Sequence, residues 1–115
     1  MLRGEVRVVD FEPVRGAESD KPRPSVIVSN DSANETVARL GRGILSVVPI
    51  TSSVERIYPF QVLLAAGEGG LVDDSKAQAE QVRSVDAQRV GERLGRLSRS
   101  SMIALDAALR LHLAL

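Results

Sequence analysis

The segment Ile44–Ser52, ILSVVPITS, fits nowhere in this chain as well as in the interior of a sheet. Its apolar residues run on without polar alternation, so a strand built from it is covered on both faces. Pro49 has no amide hydrogen to give to a ladder and predicts an edge or a bulge at that point. The neighbouring segments read as its partners. EVRVVDF (Glu5–Phe11) mixes valine with charge, with Val6 and Val8 on one face and Glu5, Arg7 and Val9 on the other. PSVIVSN (Pro24–Asn30) and YPFQVLLAA (Tyr58–Ala66) read as strands, and Leu71–Asp86 holds two further strand-like pieces. GEGG turns the chain before Leu71, and Arg89–Ser98 suits a bend and a short strand. DSANETVARLGRG (Asp31–Gly43) is polar, with room for a helical turn.

The period changes at the end. From Ser98 to Leu115 the pattern is helical, with Ser98, Ser100 and Ser101 as N-cap candidates. Met102, Leu105, Leu109 and Leu113 share one face, and Ile103, Leu111 and Leu115 widen it. A helix this apolar is buried in its own core or shared with a second copy. Many short strands followed by one helix predict a mainly β chain of α+β type: a small antiparallel β-barrel with a C-terminal helix, in one domain over residues 1–115.

Charge and composition exclude several functions. Fifteen basic and fifteen acidic residues balance to zero, so a nucleic-acid role requires a local basic site. With no cysteine, disulfides and thiolate metal sites are excluded. The first residues lack a signal-peptide core, and no stretch approaches the about 18 apolar residues of a membrane span. The expectation is a cytoplasmic protein without membrane attachment. Aromatic residues are only 3%, which limits stacking platforms for bases and favours hydrogen bonds from loop residues.

Ahead of the second strand, KPRPSVIVSN (Lys21–Asn30) sets Arg23 between two prolines. Pro24 pushes Arg23 into extended geometry at the mouth of the strand. The preceding loop, EPVRGAESDKP (Glu12–Pro22), is long for a hairpin connection, and long loops in compact domains are often functional.

Three ordered pieces together resemble the MazF/PemK family of toxins from bacterial toxin–antitoxin modules: RGEVRVVDFEPVRGAESDKPRPSVIVSN (Arg3–Asn30), VVPITS followed by YPFQVLL (Val47–Ser52, Tyr58–Leu64), and AEQVRSVD (Ala79–Asp86). The resemblance runs over nearly the whole chain. It implies an SH3-like β-barrel, a homodimer, a cognate MazE-like antitoxin as partner, and an endoribonuclease that cuts single-stranded RNA at short sequences without metal or cofactor. It also implies transesterification by the ribose 2′-OH, leaving a 2′,3′-cyclic phosphate and a 5′-OH end. Matched residue by residue, the family's arginine before proline falls on Arg23, its threonine after the third strand on Thr51, and the acidic residue of its loop motif on Glu18, within PVRGAE. The RNA-facing segment falls on Glu80–Ser84, so Gln81, Arg83 and Ser84 are candidate RNA contacts, with Ser52 beside Thr51, and Arg15 and Lys21 flanking Glu18. Arg7 stands where many members carry tryptophan, and the loop SVERIYPF is one that varies among members; both bear on which RNA sequence is chosen.

These residue types fit the reaction. The 2′-OH must lose a proton, the phosphate must have its charge stabilised, and the leaving oxygen must be protonated. A guanidinium offers two phosphate oxygens a matching fork of donors and stays charged. A hydroxyl such as that of Thr51 adds one more donor. Glu18 is a base or an orienting partner for Arg23. Apart from the resemblance, Arg23 is a solvated charge, Thr51 a strand-end residue and Glu18 a loop carboxylate. His112 is a structural or surface residue of the tail helix, Asp73 and Asp74 end a strand or cap a turn, and the basic run Glu92–Arg99 is a solvated face. Two other functions compete: a CcdB-like toxin that binds gyrase without cutting RNA, and an SH3-like interaction module.

Overall fold

The protein, in a computed structural model that describes residues 1–11 and 22–115, forms seven strands and two helices. In chain order these are β1 (Glu5–Val9), β2 (Arg23–Ile27), α1 (Asp31–Leu40), β3 (Ile44–Thr51), β4 (Gln61–Leu64), β5 (Ser75–Gln78), β6 (Arg83–Asp86), β7 (Val90–Arg96) and α2 (Arg99–Leu113). Short 3-10 turns occupy Glu68–Gly70, Ala79–Gln81 and Ala87–Arg89. The seven strands make one antiparallel sheet in the order β4-β5-β3-β2-β1-β7, with β6 also bonded to β3.

β3 is the centre of this sheet. One side pairs with β2, Val47 to Pro49 against Ile27 to Ser25. The other side pairs first with β6, through Ile44–Val47, and then with β5, through Ile50 and Thr51. Pro49 falls in the gap between those two ladders, so the proline marks a change of partner inside the sheet and not a sheet edge. The alternation of β3 sends Val48 and Ile50 into the main core, with Val6, Val26, Val62, Leu64 and the α2 residues Leu105, Ala108 and Leu109. Val47 faces the opposite way, into a second cluster with Val9, Ile27 and Val85 over which Met1, Phe11 and Val90 pack. The continuous apolar run is therefore covered on both faces, as its composition demands. The same alternation separates Val6 from Val9 on β1.

The polar segment after β2 holds more helix than the expected turn. α1 is ten residues long, capped by the Asn30 side chain, which accepts from the Ala33 amide at 2.8 Å, and closed by Gly41 in the left-handed conformation. Only Asn34 and Val37 of it are buried, so it offers almost no apolar period to read. At α2 the expected cap is present: Ser98 accepts from the Ser101 amide at 3.2 Å. Leu105 and Leu109 enter the core, whereas Ile103, Leu111, Leu113 and Leu115 stay exposed.

The two end strands, β4 and β7, share no ladder. The turn Glu68–Gly70 spans the seam and presses its backbone onto Leu94 and Gly95 of β7. Gly70 has a positive φ of 79°, and a Cβ there would collide with the Leu94 carbonyl; a Cβ on Gly95 would lie 2.6 Å from the carbonyl of Gly69. Both residues must be glycine for the two backbones to meet.

On the face carrying Val9, a charge cluster sits between β1 and β7. Glu5 is buried; Arg7 Nε donates to its Oε1 at 3.0 Å and Arg7 Nη2 lies 3.0 Å from the same oxygen, and Arg93 Nε stands 3.7 Å from Oε2. Burial pushes the Glu5 carboxyl up, but the Arg7 hydrogen bond, bonding to the Leu2 backbone and the charges of Arg7 and the N-terminus outweigh it, so the group titrates below its ordinary 4.5. A carboxyl lowered by folding adds stability that is complete above the unfolded value and is lost as pH falls through the folded one. Denaturant titrations from pH 7 to pH 3 should therefore show wild-type stability falling below about pH 4.5, and Glu5→Gln should lose that component of the slope. Equal acid slopes in the two proteins would refute the assignment.

Candidate active site

A cleft of about 620 Å³ opens where β2 begins and β3 ends. Its lining comes from Arg23 of β2, Thr51 and Ser52 at the end of β3 and Ser75 of β5, from Val72 and Asp73 after the Glu68–Gly70 turn, and from the apolar Ile50, Leu71 and Leu94. This volume is typical of small-ligand sites. Each polar wall is set by a feature of the fold already described. Arg23 is the first residue of β2, paired with Val9 of β1. The β2–β3 register, Ser25 against Pro49, sets Arg23 opposite Thr51 when continued by two residues. Paired residues of antiparallel strands direct their side chains to the same face. The far wall is held by the glycine seam, because Gly70 and Leu71 run directly into Val72 and Asp73.

The electrostatics of the cleft favour an anion. The Arg23 side chain is exposed and makes no hydrogen bond or ion pair among the described residues. Arg3 and Arg7, by contrast, are engaged: Arg3 donates to Asp106 at 2.6 Å and to the Val28 carbonyl at 2.9 Å, and Arg7 donates to Glu5. Thr51 Oγ1 accepts from the Ser53 amide at 3.2 Å. That bond uses an oxygen lone pair and leaves the hydroxyl hydrogen available to donate. An unpaired guanidinium and an available hydroxyl on adjacent strands form a donor set that suits a phosphate or another oxyanion.

The other candidates divide. Arg15, Glu18 and Lys21 lie outside the described residues. Gln81, Arg83 and Ser84 are exposed and do not line the cleft. Arg83 pairs with Val47, which shares a β3 face with Thr51, about 13 Å along the strand. Its guanidinium lies 5.0 Å from the Phe11 ring centroid. Asp74 accepts from the Ala66 amide at 2.8 Å and so ties a turn, whereas Asp73 lines the cleft. His112 is exposed in the last turn of α2. Among the described residues, no cluster of histidine and carboxylate groups is placed to hold a metal ion.

The structure adds a feature that composition hides. Beside Thr51, the loop of residues 52–60 stacks Tyr58 on Phe60, with centroids 5.3 Å apart and planes within 2°. Arg56 lies 5.6 Å from the Tyr58 centroid and donates to its hydroxyl at 3.3 Å. Two of the chain's three aromatic residues thus gather in the loop that follows Thr51. The spacing Arg56-x-Tyr58-x-Phe60 was the available signal.

Comparison with known proteins follows the same lines. A family model described as PemK-like, MazF-like toxin of type II toxin–antitoxin system matches residues 2–113. The chain is 53% identical over 115 residues to Endoribonuclease MazF9 of Mycobacterium tuberculosis, covering 100% of this chain and 98% of that protein. It is 35% identical over 114 residues to Endoribonuclease MazF of Staphylococcus epidermidis, covering 98% and 91%. In fold it is similar to an endoribonuclease solved in complex with its cognate antitoxin from a mycobacterial species, with a TM-score of 0.78, 24% identity and coverage of 100% and 96%.

The glycine seam gives a direct test of how the cleft wall is held. Gly95→Ala drives a methyl into the Gly69 backbone, which has no side-chain rotamer to yield. The expected cost is about 2 kcal/mol or more, on the order of 10 °C in Tm, measured by thermal melting. An unchanged Tm would show that the seam is looser than described.

Proposed function

The chain belongs to the PemK-like, MazF-like toxins of type II toxin–antitoxin systems, and from that membership we propose that it is a sequence-specific endoribonuclease acting on single-stranded RNA in the cytoplasm. The single observation that carries the reading is the Arg23 guanidinium, without a partner among the described residues, on the strand next to Thr51 and in one cleft with it. Arg23 holds the scissile phosphate and stabilises its developing charge, and the Thr51 hydroxyl donates to the same group. The ribose 2′-OH gives up its proton and attacks phosphorus, the P–O5′ bond breaks, and the 5′-oxygen takes up one proton, giving a 2′,3′-cyclic phosphate and a 5′-OH end. Glu18 takes the 2′-OH proton or orients Arg23. Ser52, Arg15, Lys21, Gln81, Arg83 and Ser84 contact the RNA strand. Residues 1–115 act as one toxin domain, and no metal or other cofactor takes part.

The name of the family supports a cognate antitoxin as the regulatory partner. The relatives' names favour RNA cleavage over gyrase binding. The exposed Ile103, Leu111, Leu113 and Leu115 of the tail favour a homodimer, because an unpaired helix with this much apolar surface is costly in water. Light scattering at micromolar concentration should give twice the 12.4 kDa chain mass; a monomer would count against the dimer.

Incubation with single-stranded RNA in EDTA should yield fragments ending in cyclic phosphate. Removal of one well-placed donor to a developing oxyanion costs on the order of 100- to 1000-fold, so Arg23→Ala should lower the cleavage rate by at least about that much, and Thr51→Val by on the order of 100-fold. Wild-type rates in Arg23→Ala would overturn the site.

A further inference from the structure

Lys76, one of two lysines in the chain, is 8% exposed in β5. Its register partners are Thr51 on β3 and Leu63 on β4, so its side chain rises from the same sheet face as Thr51. The ammonium donates to the Arg56 carbonyl oxygen at 2.8 Å and forms no ion pair among the described residues. A buried cation whose only acceptor is a neutral carbonyl is less stable than an apolar side chain of the same length. Core packing therefore gives no reason for the charge. Its one bond reaches the backbone of the loop of residues 52–60, between Thr51 and the Tyr58–Phe60 stack.

The rest of the loop is held at its two ends. Gln61 Oε1 accepts from the Tyr58 amide at 3.1 Å, and Gln61 Nε2 donates to Glu80 Oε2 at 2.7 Å. At its near end, the Ser53 amide is bonded to Thr51 Oγ1, the atom placed in the reaction. A shift of the middle of the loop is thus transmitted to the aromatic stack, whereas Thr51 itself stays held in the β3–β5 ladder.

We propose that Lys76 is a positioning residue: by holding the Arg56 carbonyl, its buried ammonium fixes the loop of residues 52–60 relative to Thr51, in the arrangement that receives RNA. This inference rests on the RNA-cleaving function proposed above. The bond acts on the course of the backbone, so it does not depend on which side chains the loop displays.

Lys76→Met keeps the apolar stem and removes the ammonium. A hydrogen bond from a charged donor is worth about tenfold or more in an equilibrium. Amide hydrogen exchange over residues 53–58 should quicken by about tenfold, and KM for a single-stranded RNA should rise by about tenfold with kcat within about threefold. Tm should be unchanged or higher, because the cation destabilises the fold it serves. Lys76→Arg should restore exchange and KM to within about threefold of wild type. Unchanged exchange and KM in Lys76→Met would overturn the proposal. So would a lower Tm with activity lost in proportion to the folded fraction, or a fall in kcat at constant KM. If Lys76→Met yields no folded protein, Lys76→Gln, a shorter neutral donor, is read against the same thresholds. Exchange is measured without RNA, so a wild type that does not cleave RNA would overturn the proposed function while the loop anchor is still tested.

Discussion

Everything in this molecule is referred to β3. The strand is covered on both faces, bonded to β2 along one edge and to β6 and then β5 along the other. A strand with two cores and three partners has no freedom to slip, since a one-residue shift would drive Val47 and Val48 through each other's places. Thr51 is its last residue. The proposed donor is thus fixed by the most constrained element of the fold, and Arg23 is fixed by the strand bonded to it.

Two cations at or near the cleft stand without a carboxylate among the described residues. Arg3 and Arg7 have found carboxylates, and Glu5 is buried only with guanidinium beside it. Arg23 has been left with none among the described residues, and Lys76 is buried with a backbone carbonyl as sole acceptor. Burial makes the Lys76 ammonium unfavourable for folding, and β5, which carries it, lies two strands from Arg23 with β3 between them. A buried charge that folding does not require is a place where function is expected to lie.

The strands were legible because their physics is local. The double-sided cover of Ile44–Ser52, the opposite faces of Val6 and Val9, and the Ser98 cap each follow from a few adjacent residues. α1 was underestimated because its signals are its caps, Asn30 and Gly41, with only Val37 and the buried Asn34 to mark a face. Pro49 was legible as an interruption but not as a change of partner, because that depends on where β5 ends and β6 begins. Of the site, Arg23 was conspicuous between its prolines. Its neighbour across the cleft, Asp73, was not, since the turn Glu68–Gly70 brings it there through a backbone contact with β7 that only the tertiary structure shows. The stacked rings of Tyr58 and Phe60 were concealed by a low aromatic content, which counts residues without saying that they gather.

The seam between β4 and β7 carries a dynamic consequence. Strands joined by a ladder separate only by breaking hydrogen bonds in series, whereas Gly70 of the turn meets Leu94 of β7 with no ladder between them. Such a joint is the natural place for the lowest-energy opening of the fold. Opening there would move the wall that carries Val72 and Asp73 and leave β2 and β3 undisturbed. The cleft would widen to admit or release a strand of RNA, and the two residues proposed to handle its phosphate would stay in register throughout.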